Sequence, residues 1–238
     1  MKAKIFVIYI SFVIIFLTMT GFGQENSYMQ ERFEMAETQI QLRGITDTDV
    51  LDAFRKVPRH RFVLPGYTHL AYEDSPLPIR EGQTISQPYI VAFMTDALKL
   101  KKTDKVLEVG TGSGYQAAIL SQLCDSVFTI EIFETLSEMA TGVFSDLGYT
   151  NIYCKVGDGY HGWEEKAPFD AIIVTCAPED VPEALKNQLA EGGKMIIPVG
   201  ENQVQQLVLL QKRNGKIRQK EMLPVRFVPM IDKNNKKY

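Results

Sequence analysis

Val106-Leu107-Glu108-Val109-Gly110-Thr111-Gly112-Ser113-Gly114 is the stretch that decides the fold. An apolar run holding a single acid meets glycine at three alternate positions, and the residues that follow, 115–123, carry helical spacing. Strand, glycine turn and helix in immediate succession open a βαβ unit. Outward from this point the pattern repeats. Strands are predicted over 105–109, 126–130, 152–156, 169–175 and 194–199, with helices over 115–123, 133–147 and 181–189 between them. Gly148 stands where the second of these helices should end, and Glu191-Gly192-Gly193 where the third should. Two more strands, 204–211 and 222–228, complete the series. Parallel strands joined by right-handed crossovers place helices on both faces of the sheet. The fold class is therefore α/β, doubly wound, around a mostly parallel seven-stranded sheet.

Ahead of the sheet lies a different kind of sequence. Residues 27–64 show Phe33, Met35, Ile40 and Leu42 at helical spacing, then Thr46-Asp47 in capping position before Val50, Leu51 and Phe54, which predicts two short helices. Pro58, Pro65, Pro76, Pro78 and Pro88 exclude a sheet interior and require a structured loop region. A helix over 89–100 follows, with Pro88 at its start, where a missing N–H is harmless. Together these form a small N-terminal helical and loop subdomain. At the extreme N-terminus, Lys2 and Lys4 precede an apolar run, 5–17, too short for a comfortable membrane span, and Gly21 and Gly23 follow. That is the layout of a secretory signal peptide over 1–23, with an uncut anchor as the alternative.

Hydrophobic residues make up 45% of the 238 positions and charged residues 23%, which excludes disorder and fibrous repeats. A formal charge of −3, with acids and bases interleaved, offers no basic surface for nucleic acid. Cys124, Cys154 and Cys176 lack CxxC spacing and read as core thiols. His60, His69 and His161 lack ligand spacing, so no metal site is indicated, and they read as surface or loop residues.

The glycine turn sits at the carboxyl end of a strand, where open α/β sheets bind ligands. A dinucleotide fingerprint needs a third glycine at the position held by Tyr115. The G-x-G-x-G spacing after Glu108 fits S-adenosylmethionine instead, a ligand with no pyrophosphate to seat on the helix N-terminus. Gly110, Thr111, Gly112, Ser113 and Gly114 would cradle it, and Glu108 would approach its amino-acid end. Glu131 ends the next strand, about 20 residues downstream, where a carboxylate accepts ribose hydroxyl hydrogens. Its alternative role is a charge at a helix N-terminus. Gly157-Asp158-Gly159 ends the third strand, placing Asp158 and Gly159 at the adenine; a bare G-D-G is otherwise a turn.

Further segments resemble the bacterial protein-L-isoaspartate O-methyltransferases, class I S-adenosylmethionine-dependent enzymes of Rossmann-like fold, over most of the chain after the leader. They are Val57-Pro58-Arg59-His60-Arg61-Phe62-Val63, Leu77-Pro78-Ile79, Gly82-Gln83-Thr84-Ile85-Ser86-Gln87-Pro88, the glycine turn with Tyr115-Gln116, Phe169-Asp170-Ala171-Ile172-Ile173-Val174 and Arg226-Phe227-Val228-Pro229. The Gly82–Pro88 segment is the specific one, because methyltransferases with other substrates share only the glycine turn. Arg80, Glu81 and Cys176 stand where that family tends to have small residues. The resemblance implies that Ser86 is the active-site serine, that Thr84, Ile85, Gln87 and Val228 meet the substrate, and that S-adenosylmethionine is the cofactor. The implied reaction methylates the free α-carboxylate of L-isoaspartyl residues in damaged proteins and peptides, which starts their repair through a succinimide.

The resulting division is a leader over 1–23 and one methyltransferase domain over 24–238. Within it, 24–100 is the substrate-side subdomain, 101–230 the cofactor-binding core and 231–238 a flexible tail. Expected partners are isoaspartyl proteins and peptides, with no nucleic acid, no membrane once the leader is cut, and a monomeric state. The leader implies a periplasmic or secreted enzyme, although the resembling family is generally cytoplasmic. Rival readings are a methyltransferase of small molecules, a non-catalytic exported peptide-binding domain and, more distantly, a nicotinamide oxidoreductase, against which Tyr115 argues.

Overall fold

The computed structural model describes residues 25–201 and 204–238, so the leader read over 1–23 lies outside the described residues. Helix α1 (residues 25–34) continues through a widened turn, Met35–Ile40, and a 3-10 turn, Gln41–Arg43, and stops at Gly44 in the left-handed conformation. Helix α2 (Thr48–Lys56) starts where the Asp47 carboxylate accepts the N–H groups of Asp49 and Val50, as the sequence predicts. It buries Val50, Leu51, Ala53 and Phe54. The proline-rich stretch is a chain of short turns with one small hairpin, β1 (Leu77–Pro78) against β2 (Thr84–Ile85). Helix α3 (Pro88–Leu98) follows with its proline in the first turn.

Seven strands form the main sheet: β3 (Lys105–Val109), β4 (Ser126–Glu131), β5 (Ile152–Val156), β6 (Phe169–Val174), β7 (Leu189–Val199), β8 (Gln205–Arg213) and β9 (Lys216–Val225). Their order is β5-β4-β3-β6-β7-β8-β9; the first five are parallel, and β8 and β9 are added by antiparallel pairing, so that β8 alone runs against the rest. Helices α4 (Tyr115–Ser121) and α5 (Glu134–Asp146) make the crossovers from β3 to β4 and from β4 to β5. Strand alternation gives each face its own core. Val106, Val127 and Ala171 pack with α2, α3, α4 and α5, while Leu107, Val109, Phe128 and Ile130 pack with Trp163 and with Leu185 of α6 (Glu183–Gln188). From β3 the chain winds outward to β5 and then returns to place β6 on the other side of β3. That reversal opens a crevice at the carboxyl ends of β3 and β6.

Three sequence readings fail locally. Glu191-Gly192-Gly193 does not close a helix: α6 ends at Gln188, Leu189 already pairs with Phe169, and pairing resumes only at Lys194 against Ala171. The residues between form a bulge in β7 whose Glu191 carboxylate accepts the N–H groups of Asn214 and Gly215 at the β8–β9 turn. β9 begins at Lys216 rather than 222, because Asn214 and Gly215 both take positive φ and close a tight hairpin. Nor does the tail fray. Ile231 bridges Lys237, Tyr238 N–H donates to the Met230 carbonyl, and the Tyr238 carbonyl accepts from Glu179.

Candidate active site

A cleft of about 800 Å³ opens at the crevice, lined by the glycine turn, Glu131, the Thr84–Ser86 segment and Val228. The turn's shape requires its glycines. Gly110 has φ +96, and a Cβ there would sit 2.4 Å from Thr175 Oγ1. That hydroxyl ties β6 to the turn by donating to the carbonyls of Val109 and Gly110. Gly114, at φ +88, lets α4 close on Phe144 of α5 and does not line the cleft. Gly112 and Ser113 do, as do Gly110 and Thr111.

Glu108 does not approach the cleft. Alternation turns it to the same face as Val106, beneath α4, where it is fully buried. The Thr111 hydroxyl donates to Thr129 Oγ1 at 2.6 Å, and Thr129 donates to Glu108 Oε2 at 2.5 Å, so the acid anchors the glycine turn from below. Burial, reinforced by the charge of Glu131, pushes its pKa up to about 8.

Glu131 stands at the end of β4 as expected, inside the cleft. Its Oε2 accepts Gly112 N–H at 2.7 Å, and its Oε1 accepts Ile132 and Phe133 N–H at 3.0 and 3.1 Å. A carboxylate offers about four lone-pair sites, so one remains for a ligand hydroxyl rather than the two required to take both ribose hydroxyls. Burial raises its pKa, against the pull of these three N–H groups.

Ser86 lies between β2 and α3, at the junction of the cleft with a second groove of about 980 Å³ that also contains Gln87, Ile90 and Phe227. Its hydroxyl has no hydrogen-bond partner among the described residues, and α3 carries no side-chain cap, so Ser86 is not a helix cap. Thr84, Ile85 and Val228 share the cleft with it, whereas Gln87 donates to the Asp74 carbonyl and faces only the second groove.

Asp158 departs as well. Gly159 lines the cleft, but the Asp158 carboxylate accepts from Tyr160 N–H and from the Tyr238 hydroxyl, and Tyr238 stacks on Tyr160 with centroids 4.0 Å apart. Bonding to Asp158, with burial, pushes the Tyr238 pKa up to about 12. Thr175 and Cys176, just past β6, also line the cleft; the rule of strand carboxyl ends would have found them. Met230 and Ile231 line it too, without any signal in the sequence.

His60 is buried, not superficial: it stacks on Tyr28 and its Nδ1 lies 2.7 Å from the Tyr72 hydroxyl. Among the described residues no group of three or more His, Cys, Asp or Glu is placed to hold a metal.

Residues 30–235 match the family Protein-L-isoaspartate(D-aspartate) O-methyltransferase (PCMT). The chain belongs to this family. It is 54% identical over 206 residues to the Protein-L-isoaspartate O-methyltransferase of Opitutus terrae, covering 86% of this chain and 88% of that protein. Among solved structures, a protein-L-isoaspartate O-methyltransferase superposes with a TM-score of 0.76 at 31% identity, over 84% of this chain and 65% of that longer one. A Plasmodium falciparum structure assigned to the same activity, in complex with S-adenosyl-L-homocysteine, superposes at 0.73 with 28% identity over 85% of this chain and 99% of that one. The seven-stranded Rossmann-like sheet with its N-terminal helical region is thus the fold of the PCMT family, as the sequence implies.

The anchor under the glycine turn of this PCMT member has a pH signature. Below pH 4.5 the folded and unfolded chains both protonate Glu108, and between 4.5 and about 8 only the folded chain does. The unfolded state therefore binds fewer protons in that window. Stability should fall as pH rises, by up to about 1.4 kcal/mol per pH unit from this group. Glu108→Gln, which carries no proton to lose, should become more stable relative to wild type as melts move from pH 5 to 7.5. Parallel wild-type and variant curves would show that Glu108 is ionised in the fold.

Proposed function

We propose that this chain is an exported protein-L-isoaspartate O-methyltransferase, which methylates the free α-carboxylate of isoaspartyl residues in damaged proteins and peptides. The observation that carries the reading is the meeting of two segments in one cleft. The G-x-G-x-G turn with Glu131 shares it with Thr84, Ile85 and Ser86 of the family's specific segment.

The cleft suits S-adenosylmethionine. Glycine backbone without side chains flanks it at Gly110 and Gly112, and a carboxylate with a free lone pair stands at the end of β4. When bound, that cofactor supplies an electrophilic methyl group on a sulfonium sulfur. The chain's own residues need supply no base, because an α-carboxyl has a pKa of about 3.5 and is an anion at neutral pH. No histidine is among the described residues that line the cleft. Ser86 orients the carboxylate through its hydroxyl, and the Thr84–Ile85 strand and Val228 hold the flanking peptide. The adjoining groove around Gln87 and Phe227 receives further substrate residues. Rate enhancement then comes chiefly from alignment, which contributes several kcal/mol when reacting atoms are held about 3–3.5 Å apart in line. The methyl ester carries a methoxy group that leaves far more readily than the oxygen of a free carboxylate. The following backbone nitrogen therefore attacks the ester carbonyl and expels methanol to close a succinimide, which water reopens in part as normal aspartate.

Methyl transfer from labelled cofactor to paired peptides that differ only in aspartyl or isoaspartyl linkage tests this. Incorporation should be confined to the isoaspartyl peptide, and equal labelling of both, or of neither, would sink the reading.

Export rests on Lys2, Lys4 and the apolar run over 5–17. The mature protein should begin near Gln24, lie across the inner membrane in the periplasm or medium, and act as a monomer. N-terminal sequencing of fractionated cells checks this; an intact Met1 in the soluble cytosol would contradict it.

A further inference from the structure

Arg59 is completely buried, yet among the described residues no carboxylate lies within ion-pair distance of it. Burial lowers its pKa to about 10, which still leaves it charged at neutral pH. Burying a charge with no carboxylate beside it is costly, and here only hydrogen bonds to neutral groups and the more distant attraction of Asp74 offset that cost. What it touches explains its presence. Its Nε donates to the Ala71 carbonyl and its Nη2 to the Ser86 carbonyl, both at 2.8 Å, and its guanidinium lies 4.7 Å from the centre of the Tyr115 ring. Tyr115 is the first residue of the helix that leaves the glycine turn, and it is buried as well. One planar group therefore joins the chain leading into the β1–β2 hairpin, the peptide after Ser86 and the helix behind the cofactor turn. Lysine has no such fork.

We infer that Arg59 is a positioning residue for methyl transfer: it fixes the peptide between Ser86 and Gln87 against α4, so that the substrate segment and the glycine turn keep one relative placement. The inference rests on the function proposed above. It assigns Arg59 no contact with substrate or cofactor.

The test compares wild type, Arg59→Met, Arg59→Lys, Ser86→Ala and the double variant Arg59→Met/Ser86→Ala. Measurements are single-turnover methyl transfer to isoaspartyl peptide, affinity for S-adenosyl-L-homocysteine by calorimetry, thermal melting and amide hydrogen exchange over residues 83–90. Arg59→Met should fold but melt lower, because the Ala71 and Ser86 carbonyls lose their donor; it should bind S-adenosyl-L-homocysteine within about threefold, transfer methyl at least tenfold more slowly well below its melting temperature, and exchange faster over 83–90. Arg59→Lys should fall between it and wild type. Because both changes act through the placement of Ser86, the double variant should be within about twofold of Ser86→Ala rather than slower by the product of the two losses. Wild-type exchange and rate in Arg59→Met, or multiplying losses in the double variant, would overturn the assignment. Should Arg59→Met not fold, Arg59→Lys decides on the same two readouts. A wild-type protein inert towards isoaspartyl peptide would refute the proposed function, while hydrogen exchange would still judge Arg59.

Discussion

Ser86→Ala should slow methyl transfer to isoaspartyl peptide by about 10- to 1000-fold, equivalent to about 1.4–4 kcal/mol of barrier, and leave the melting temperature nearly unchanged. The two halves of this expectation have separate grounds. The substrate carboxylate is ionised already, so the enzyme's task is to hold one oxygen in line with the methyl group, and a hydroxyl donor in the cleft does this. The fold, by contrast, does not use that hydroxyl: it bonds to no described residue, and only the Ser86 carbonyl is engaged, by Arg59. Removing Oγ therefore deletes no fold-supporting hydrogen bond. Thr, which keeps the hydroxyl, should recover part of the rate. Single-turnover transfer at saturating cofactor, run beside thermal melts, separates the effects. A rate equal to wild type in the alanine variant would remove Ser86 from the site, and so would a loss matched by unfolding.

Elements set by their own residues are legible in the sequence, whereas pairings made only in the fold are not. Patterns of period two and 3.6, with glycine punctuation, place β3, β5 and α4 closely, since each is set by its own residues, whether buried all along as in α4 or half exposed at the sheet edge as in β5. The glycine turn and Glu131 follow from the same local order, because a parallel sheet forces them to its carboxyl edge. Adjacency of Glu108 to the turn does not decide which face it takes; alternation does, and it sends Glu108 beneath α4. The β7 bulge is hidden for a different reason. Gly192-Gly193 has the composition of a helix stop, but the partner that explains it, the turn at Asn214 and Gly215, lies over 20 positions away. Asp158 and Tyr238, and likewise Arg59 and Ser86, are joined only by tertiary contact, and no local spacing announces them.

Glu131→Ala should weaken binding of S-adenosyl-L-homocysteine by about 10- to 150-fold, the loss of about 1.5–3 kcal/mol expected for a hydrogen bond to a charged acceptor. The structure makes the expectation sharper than a simple ribose contact. Glu131 also accepts the N–H of Gly112, so its removal frees the middle of the glycine turn as well as the ligand hydroxyl. Gln offers one acceptor oxygen instead of two and cannot satisfy Gly112 on one side and Ile132 and Phe133 on the other. It should therefore lose nearly as much as Ala. With three of about four lone-pair sites held by backbone, a single ribose hydroxyl should dominate the contact. A ligand analogue lacking that hydroxyl should bind wild type and Glu131→Ala with nearly equal affinity, apart from the part due to the loosened turn. The raised pKa adds a direction with pH: as pH falls into the carboxyl range, Glu131 protonates earlier than an exposed glutamate, and affinity should drop with it. Calorimetry on wild type and both variants, with the parent ligand and the deoxy analogues, reads all of this. An unchanged dissociation constant in a folded Glu131→Ala protein would take the residue out of the cofactor site and leave it as a brace for the turn alone.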